Sequence, residues 1–162
     1  MGLIEVDGFL ADSVVRAEGK LYVQGAGWNR ITAPLFPVVH DRIGVGLIFR
    51  VAAEPAAQTY RFDLRLEDEQ GREQVLGMTR DPAGGDQGKL YRLTGEFTVG
   101  PSSASDDSLV AMAVNLNGMT FERPTAYRFV VDVDGVDVKA MPFRVEPLAA
   151  QSPPVTGGGG YL

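Results

Sequence analysis

A period of two constrains this chain more than any other feature. In TYRFDLRLED, residues 59 to 68, Tyr60, Phe62, Leu64 and Leu66 alternate with Arg61, Asp63, Arg65 and Glu67. Successive side chains of an extended backbone point to opposite faces. The stretch therefore predicts a strand with one face in a core and four charges on a solvent face. The same period runs through AYRFVVDVDGVDVKAMPFRVEP, from Ala126 to Pro147, on both sides of Asp134-Gly135. That dipeptide tolerates the positive φ angles of a two-residue primed turn, so the segment predicts a β-hairpin.

Further strands follow the same logic. FLADSVV and KLYVQGA flank a turn-like Ala17-Glu18-Gly19, and Glu69-Gln70-Gly71 turns the chain into REQVLGM. VGLIFRV, residues 45 to 51, is an apolar run broken only by Arg50, as expected of a strand covered on both faces. LYRLTGEFTV (90–99) and LVAMAVNLNGMTF (109–121) complete the set. The second holds helix-tolerant Ala and Met, but Asn115, Asn117 and Gly118 weigh against a helix. Roughly eight or nine strands result, at the spacing of a β-sandwich. Pro34–Arg42, Thr79–Lys89 and Gly100–Asp107 read as loops, the first carrying the lone histidine, His40. The expected fold is all-β: two packed antiparallel sheets of immunoglobulin-like type in a single domain, residues 1–147, with strands from about Gly8 to Pro147. Residues 148–162, with Pro153-Pro154 and four consecutive glycines, read as a flexible Pro/Gly-rich tail.

At 162 residues the chain is long enough for one real core. Its 15 basic and 21 acidic residues give a net charge of −6, and the cations are dispersed among acids. Nucleic-acid binding, which draws on clustered cations, is therefore not expected. The absence of cysteine excludes disulfides, thiolate metal sites and cysteine nucleophiles. No apolar run approaches the ~18 residues of a membrane span. The opening MGLIEVDGFLADSVV lacks a basic region and holds Glu5, Asp7 and Asp12, so it does not read as a secretory signal. A cytoplasmic location is expected, and three lysines against twelve arginines hint at a GC-rich bacterial genome.

The opening FLADSVVRAEGKLYVQGAGWNRI, with Asp12, Gly19, Lys20, Leu21, Gly25 and Trp28 as its matching residues, resembles the start of a family of uncharacterised bacterial proteins. The closing hairpin is similar to the last hairpin of many immunoglobulin-like sandwiches. The likeness covers roughly the first 50 residues and that hairpin. It implies an immunoglobulin-like β-sandwich. The family is a domain of unknown function, so no activity and no site residues come with it.

No enzymatic constellation competes for attention. His40 and Asp41 are adjacent on an extended chain and point apart, and no serine lies in a G-x-S-x-G elbow. Asp132, Asp134 and Asp137 at one turn and Glu67, Asp68 and Glu69 at a strand end suggest calcium only weakly, because no D-x-D-x-D-G loop is present. "GGDQGK" (84–89) is too short for a phosphate loop. No catalytic residue, metal or cofactor is expected.

Two features remain as binding candidates. Trp28, Asn29 and Arg30 would form a carbohydrate or small-ligand site if the indole stood exposed beside an aromatic such as Tyr22. Alternatively Trp28 plugs the end of the sandwich, which the large area of an indole favours. GGGGYL, ending in Tyr161 and Leu162, has the form of a C-terminal capture motif. The function expected is a non-enzymatic protein-binding or assembly module, engaging a protein partner or a second copy through a sheet edge, end loops or the tail. A ligand-binding module centred on Trp28 is the alternative.

Overall fold

The computed structural model describes residues 3–79, 88–102 and 106–149, and every regular element among them is a strand. In chain order these are β1 (Ile4–Ala11), β2 (Ser13–Ala17), β3 (Lys20–Gln24), β4 (Arg30–Ala33), β5 (Val38–Val51), β6 (Gln58–Asp68) and β7 (Glu73–Gln74). They continue with β8 (Gly77–Thr79), β9 (Gly88–Leu90), β10 (Arg92–Val99), β11 (Ser108–Phe121), β12 (Thr125–Val133) and β13 (Val136–Pro147). The first sheet runs β1-β5-β11, and the second β10-β6-β12-β13-β4, with the short β7 also on β6. Hairpins β2-β3 and β8-β9 form two further two-stranded sheets.

The closing hairpin forms as its turn chemistry dictates: Asp134 and Gly135 take φ of 51° and 82°, and β12 pairs with β13 along its length. Inward positions of the two sheets share one core. Tyr60, Phe62, Leu64 and Leu66 of β6 and Tyr127, Phe129, Val131 and Val133 of β12 are buried from one side. Val45, Leu47, Phe49 and Val51 of β5 enter from the other. The Phe49 ring lies 5.4 Å from Phe62 and 4.8 Å from Phe97, so the sheets interlock through aromatics.

The second face of β5 is covered as well from Gly44 to Ile48, which accounts for its apolar run up to Phe49, while Arg50 stays exposed. Gly44 and Gly46 leave room there. A Cβ on Gly44 would meet Val14 at 2.9 Å, and one on Gly46 would run into the Phe9 ring. Val14 is held by an amide clamp. Its backbone N–H donates to Asn115 Oδ1 (3.1 Å), and Asn115 Nδ2 donates to its carbonyl (2.7 Å). Asn115→Ala would orphan both groups beside a fully buried side chain. A loss of about 2 kcal/mol is expected, with faster amide exchange confined to β2-β3, measured by urea unfolding and hydrogen exchange.

Four expectations change. Val38–Arg42 is strand rather than loop, because β11 pairs β5 over its whole length, down to Met119↔His40 and Phe121↔Val38. FLADSVV breaks at Asp12, where β1 leaves its partner β5 and β2 turns to β3. Of REQVLGM only Glu73–Gln74 reaches β6, and Gly77–Thr79 pairs with β9 instead. The sheets are not wholly antiparallel, since β4 joins β13 in parallel after the β2-β3 excursion. The partners of β5 and β4 are distant in sequence, so local propensity does not reveal them.

Candidate functional site

Three regions hold the residues of interest: the Trp28 loop, the outer face of the second sheet, and the margin of β11. Gly25 begins the loop at φ 64°, its Cα against the Asp12 carboxylate, and the Asp12 N–H donates to the carbonyls of Gln24 (3.1 Å) and Gly25 (3.2 Å). The loop is thereby pinned to the end of β1. The half-buried Trp28 indole packs on the core, edge-on to Phe143 (6.2 Å) and His40 (6.3 Å). Its Nε1 is turned inside, with no hydrogen-bond partner among the described residues. Tyr22 is exposed but is not one of its ring partners. Asn29 is exposed, and its carbonyl accepts from the Arg144 N–H (2.9 Å). Arg30 pairs with Glu146 at 3.4 Å across the β4–β13 boundary. His40 leans on the indole while Asp41 is exposed. Tyr161 and Leu162 lie outside the described residues.

The outer face of the second sheet departs from expectation. Arg61 is exposed, but Arg65 and Glu67 are only 9% and 6% accessible and do not form an open charged surface. Cross-strand neighbours close over them. Arg65 of β6 donates to Glu67 (2.7 Å), to Asp132 of β12 (3.4 Å) and to Asp137 of β13 (2.8 Å), and Arg128 of β12 grips the other oxygen of Glu67 at 2.7 Å. At the margin Arg92 of β10 binds Glu73. Burial alone would raise the Glu67 carboxyl, but the hydrogen bonds of Arg65 and Arg128 outweigh it and hold the group below the ordinary range. The Arg65 hydrogen bond lowers Asp137 and the Arg92 hydrogen bond lowers Glu73. Asp68, buried, is lowered on balance by the N–H groups of Arg72 and Gln70 and by the Arg72 side chain. These carboxylates, together with Asp134, which accepts from the Arg61 N–H (3.0 Å), are engaged by the chain's own donors. Among the described residues no cluster of three ligands is arranged for a metal ion.

The third region went unnoticed in the sequence. β11 is the end strand of the first sheet, and no described strand pairs with it on the side away from β5. Beside it, β10 is the margin of the second sheet. A groove of about 590 Å3 separates the two, with Leu93, Phe97 and Phe62 on one wall and Val110, Met112 and Val114 on the other. Arg16 and Glu96, one charge of each sign, also line it. Val110, Met112 and Val114 point inward yet stay only half-buried, because the core is open at this margin. From Ser108 to Phe121 the strand carries no charged residue, and that run was the available signal.

Residues 7–146 match the model of a family described only as being of unknown function, DUF6941. The match runs through the middle of the chain as well as the opening segment and the closing hairpin. No curated protein matches the chain. Among solved structures it is similar to part of an alkylpurine DNA glycosylase, AlkC, of Pseudomonas fluorescens bound to DNA containing an abasic-site analogue. That likeness has 13% identity and a TM-score of 0.46, over 88% of this chain and 30% of the other. It is similar to part of a β-glucosidase of Listeria innocua, with 9% identity and a TM-score of 0.47, over 90% of this chain and 16% of the other. A β-glucosidase of Erythrobacter marinus gives 12% identity and a TM-score of 0.47, over 89% and 15%. The chain thus spans less than a third of each, and overlaps this distant carry no shared activity. No helix among the described residues is long and apolar enough to cross a membrane.

Proposed function

The chain belongs to DUF6941, a family of unknown function, and on that premise we propose that it is a non-enzymatic protein-binding or assembly module built on an immunoglobulin-like sandwich. Strand order supports the sandwich. β1-β5-β11 stands in the order of strands A, B and E, and β10-β6-β12-β13 in the order C′, C, F and G. Strand D, which would follow E, has no counterpart beside β11 among the described residues. A bacterial source and a cytoplasmic location belong to the same proposal and rest on composition alone.

The observation that carries the functional reading is the open margin of β11. Folded proteins guard sheet edges with charges, prolines, bulges or short strands. The other margins comply: β10 carries Arg92 and Glu96, β1 carries Glu5 and Asp7, and β4 has four residues. β11 offers fourteen residues without charge, and Leu109 beside the groove is 62% exposed. An uncharged strand edge above a groove walled mainly by apolar side chains is the form used to take up an extended strand.

A photo-crosslinking side chain at Leu109 tests this in cells that make the full chain. Irradiation is expected to give discrete protein adducts at Leu109 and none at Tyr22, an exposed control on β3. Adducts at neither position, or equally at both, would overturn the reading.

A further inference from the structure

We propose that the β11 edge takes the same edge of a second copy, the two strands running antiparallel about a twofold axis through Met112, so that two three-stranded sheets become one of six. The proposal rests on the assembly reading above and names its partner.

Symmetry and side-chain parity dictate the register. A twofold axis perpendicular to a sheet keeps inward side chains inward, so an antiparallel self-pair must centre on a residue. Centring on Met112 sets Met112 against itself, Val110 against Val114 and Ala111 against Ala113. The three inward side chains left half-buried in the monomer then meet the same three from the other copy, covering the open margin of the core.

The ends of β11, and not the net charge, favour a second copy over a foreign strand. Each chain carries −6, so copies repel at long range and can meet only where the local charge is neutral or complementary. β11 is neutral, and its two ends complement each other. Asp107, exposed, precedes the strand at one end. At the other, exposed Arg42 donates to Asn117 Oδ1 at 2.9 Å. Neither Asp107 nor Arg42 takes part in an ion pair among the described residues. In this register Asp107 of one copy lies opposite Asn117 of the other, on the same outward face, beside the Arg42 guanidinium. The axis repeats the match, giving one carboxylate–guanidinium pairing at each end.

The natural chain has no cysteine, so an introduced thiol is unique. Under mild oxidation Met112→Cys in the full chain is expected to convert largely to a covalent dimer, while Leu109→Cys, whose partner is residue 115, stays single. Light scattering of the unaltered chain is expected to give twice the chain mass. Met112→Lys, which opposes two ammonium groups on the axis, should return it to the single-chain mass. The Met112→Cys result stands even if the lysine variant folds poorly. A single-chain mass at every concentration, or disulfides from Leu109→Cys as readily as from Met112→Cys, would overturn the proposal. If that outcome comes with Leu109 photo-adducts to a foreign protein, the second copy is eliminated and the assembly reading survives. If no adduct forms, both fall.

Discussion

Arg65→Ala is expected to lower the unfolding free energy by about 3–5 kcal/mol, the cost of breaking a buried ion pair from one side. Glu67 and Asp132 are 6% and 5% accessible, and Arg65 is a cation they share. Alanine leaves both carboxylates desolvated, and only Glu67 keeps a second guanidinium, that of Arg128. The measurement is urea unfolding at neutral pH. A loss below about 1 kcal/mol, the value of an exposed pair, would mean that water serves these carboxylates as well as the guanidinium does.

The same cluster sets a pH dependence. Glu67, Asp137, Glu73 and Asp68 are lowered in the folded state, from ordinary values of 4.5 for the glutamates and 3.8 for the aspartates. As pH falls through those values the unfolded chain takes up protons first. The stabilisation is therefore complete at neutral pH, declines from about pH 5, and disappears below the folded-state values. In Arg65→Ala, Glu67 and Asp137 lose the donor that lowers them, so thermal melts between neutral pH and pH 3 should show a shallower acid decline than in the unaltered chain. An equally steep decline in both would place the pH dependence elsewhere.

Phe143→Ala should be similarly damaging, with a loss of about 3–5 kcal/mol for deleting a buried aromatic. Phe143 is 2% accessible and touches Phe121 (5.9 Å), Tyr127 (5.7 Å) and Phe129 (5.6 Å) as well as the indole of Trp28. The chain has a single tryptophan, so its fluorescence reports the surroundings of this one indole. The emission of the folded variant is expected to shift to the red as water reaches the indole. Lost stability with unchanged emission would show that the loop pinned at Asp12 and Gly25 holds Trp28 without help from Phe143.

The inward half of TYRFDLRLED was legible because alternation is a property of neighbouring residues, and Tyr60, Phe62, Leu64 and Leu66 lie where it puts them. The outward half was only partly legible. A strand pattern says that Arg65 faces away from the core, but not that Asp132 and Asp137, some seventy residues later, come to stand beside it. His40 looked like a loop residue for the same reason, since the β11 segment that makes it a strand residue follows far down the chain. Trp28 stood out as the single indole, but its packing against Phe143, contributed by β13, was not legible from its own loop.

The sequence by itself determined the all-β class, the closing hairpin with its Asp134-Gly135 turn, most of the strands and the inward residues of the core. These follow from side-chain period and turn φ, which are decided within a few residues. Only the tertiary structure decided that Arg65 and Glu67 are enclosed, that β4 runs parallel to β13, and that β11 is the margin left open. Partner, burial and edge are properties of strands brought together from distant parts of the chain. The uncharged run from Ser108 to Phe121 would read equally well as a strand sealed in the middle of a sheet. It is an open margin only because nothing described pairs with its outer side.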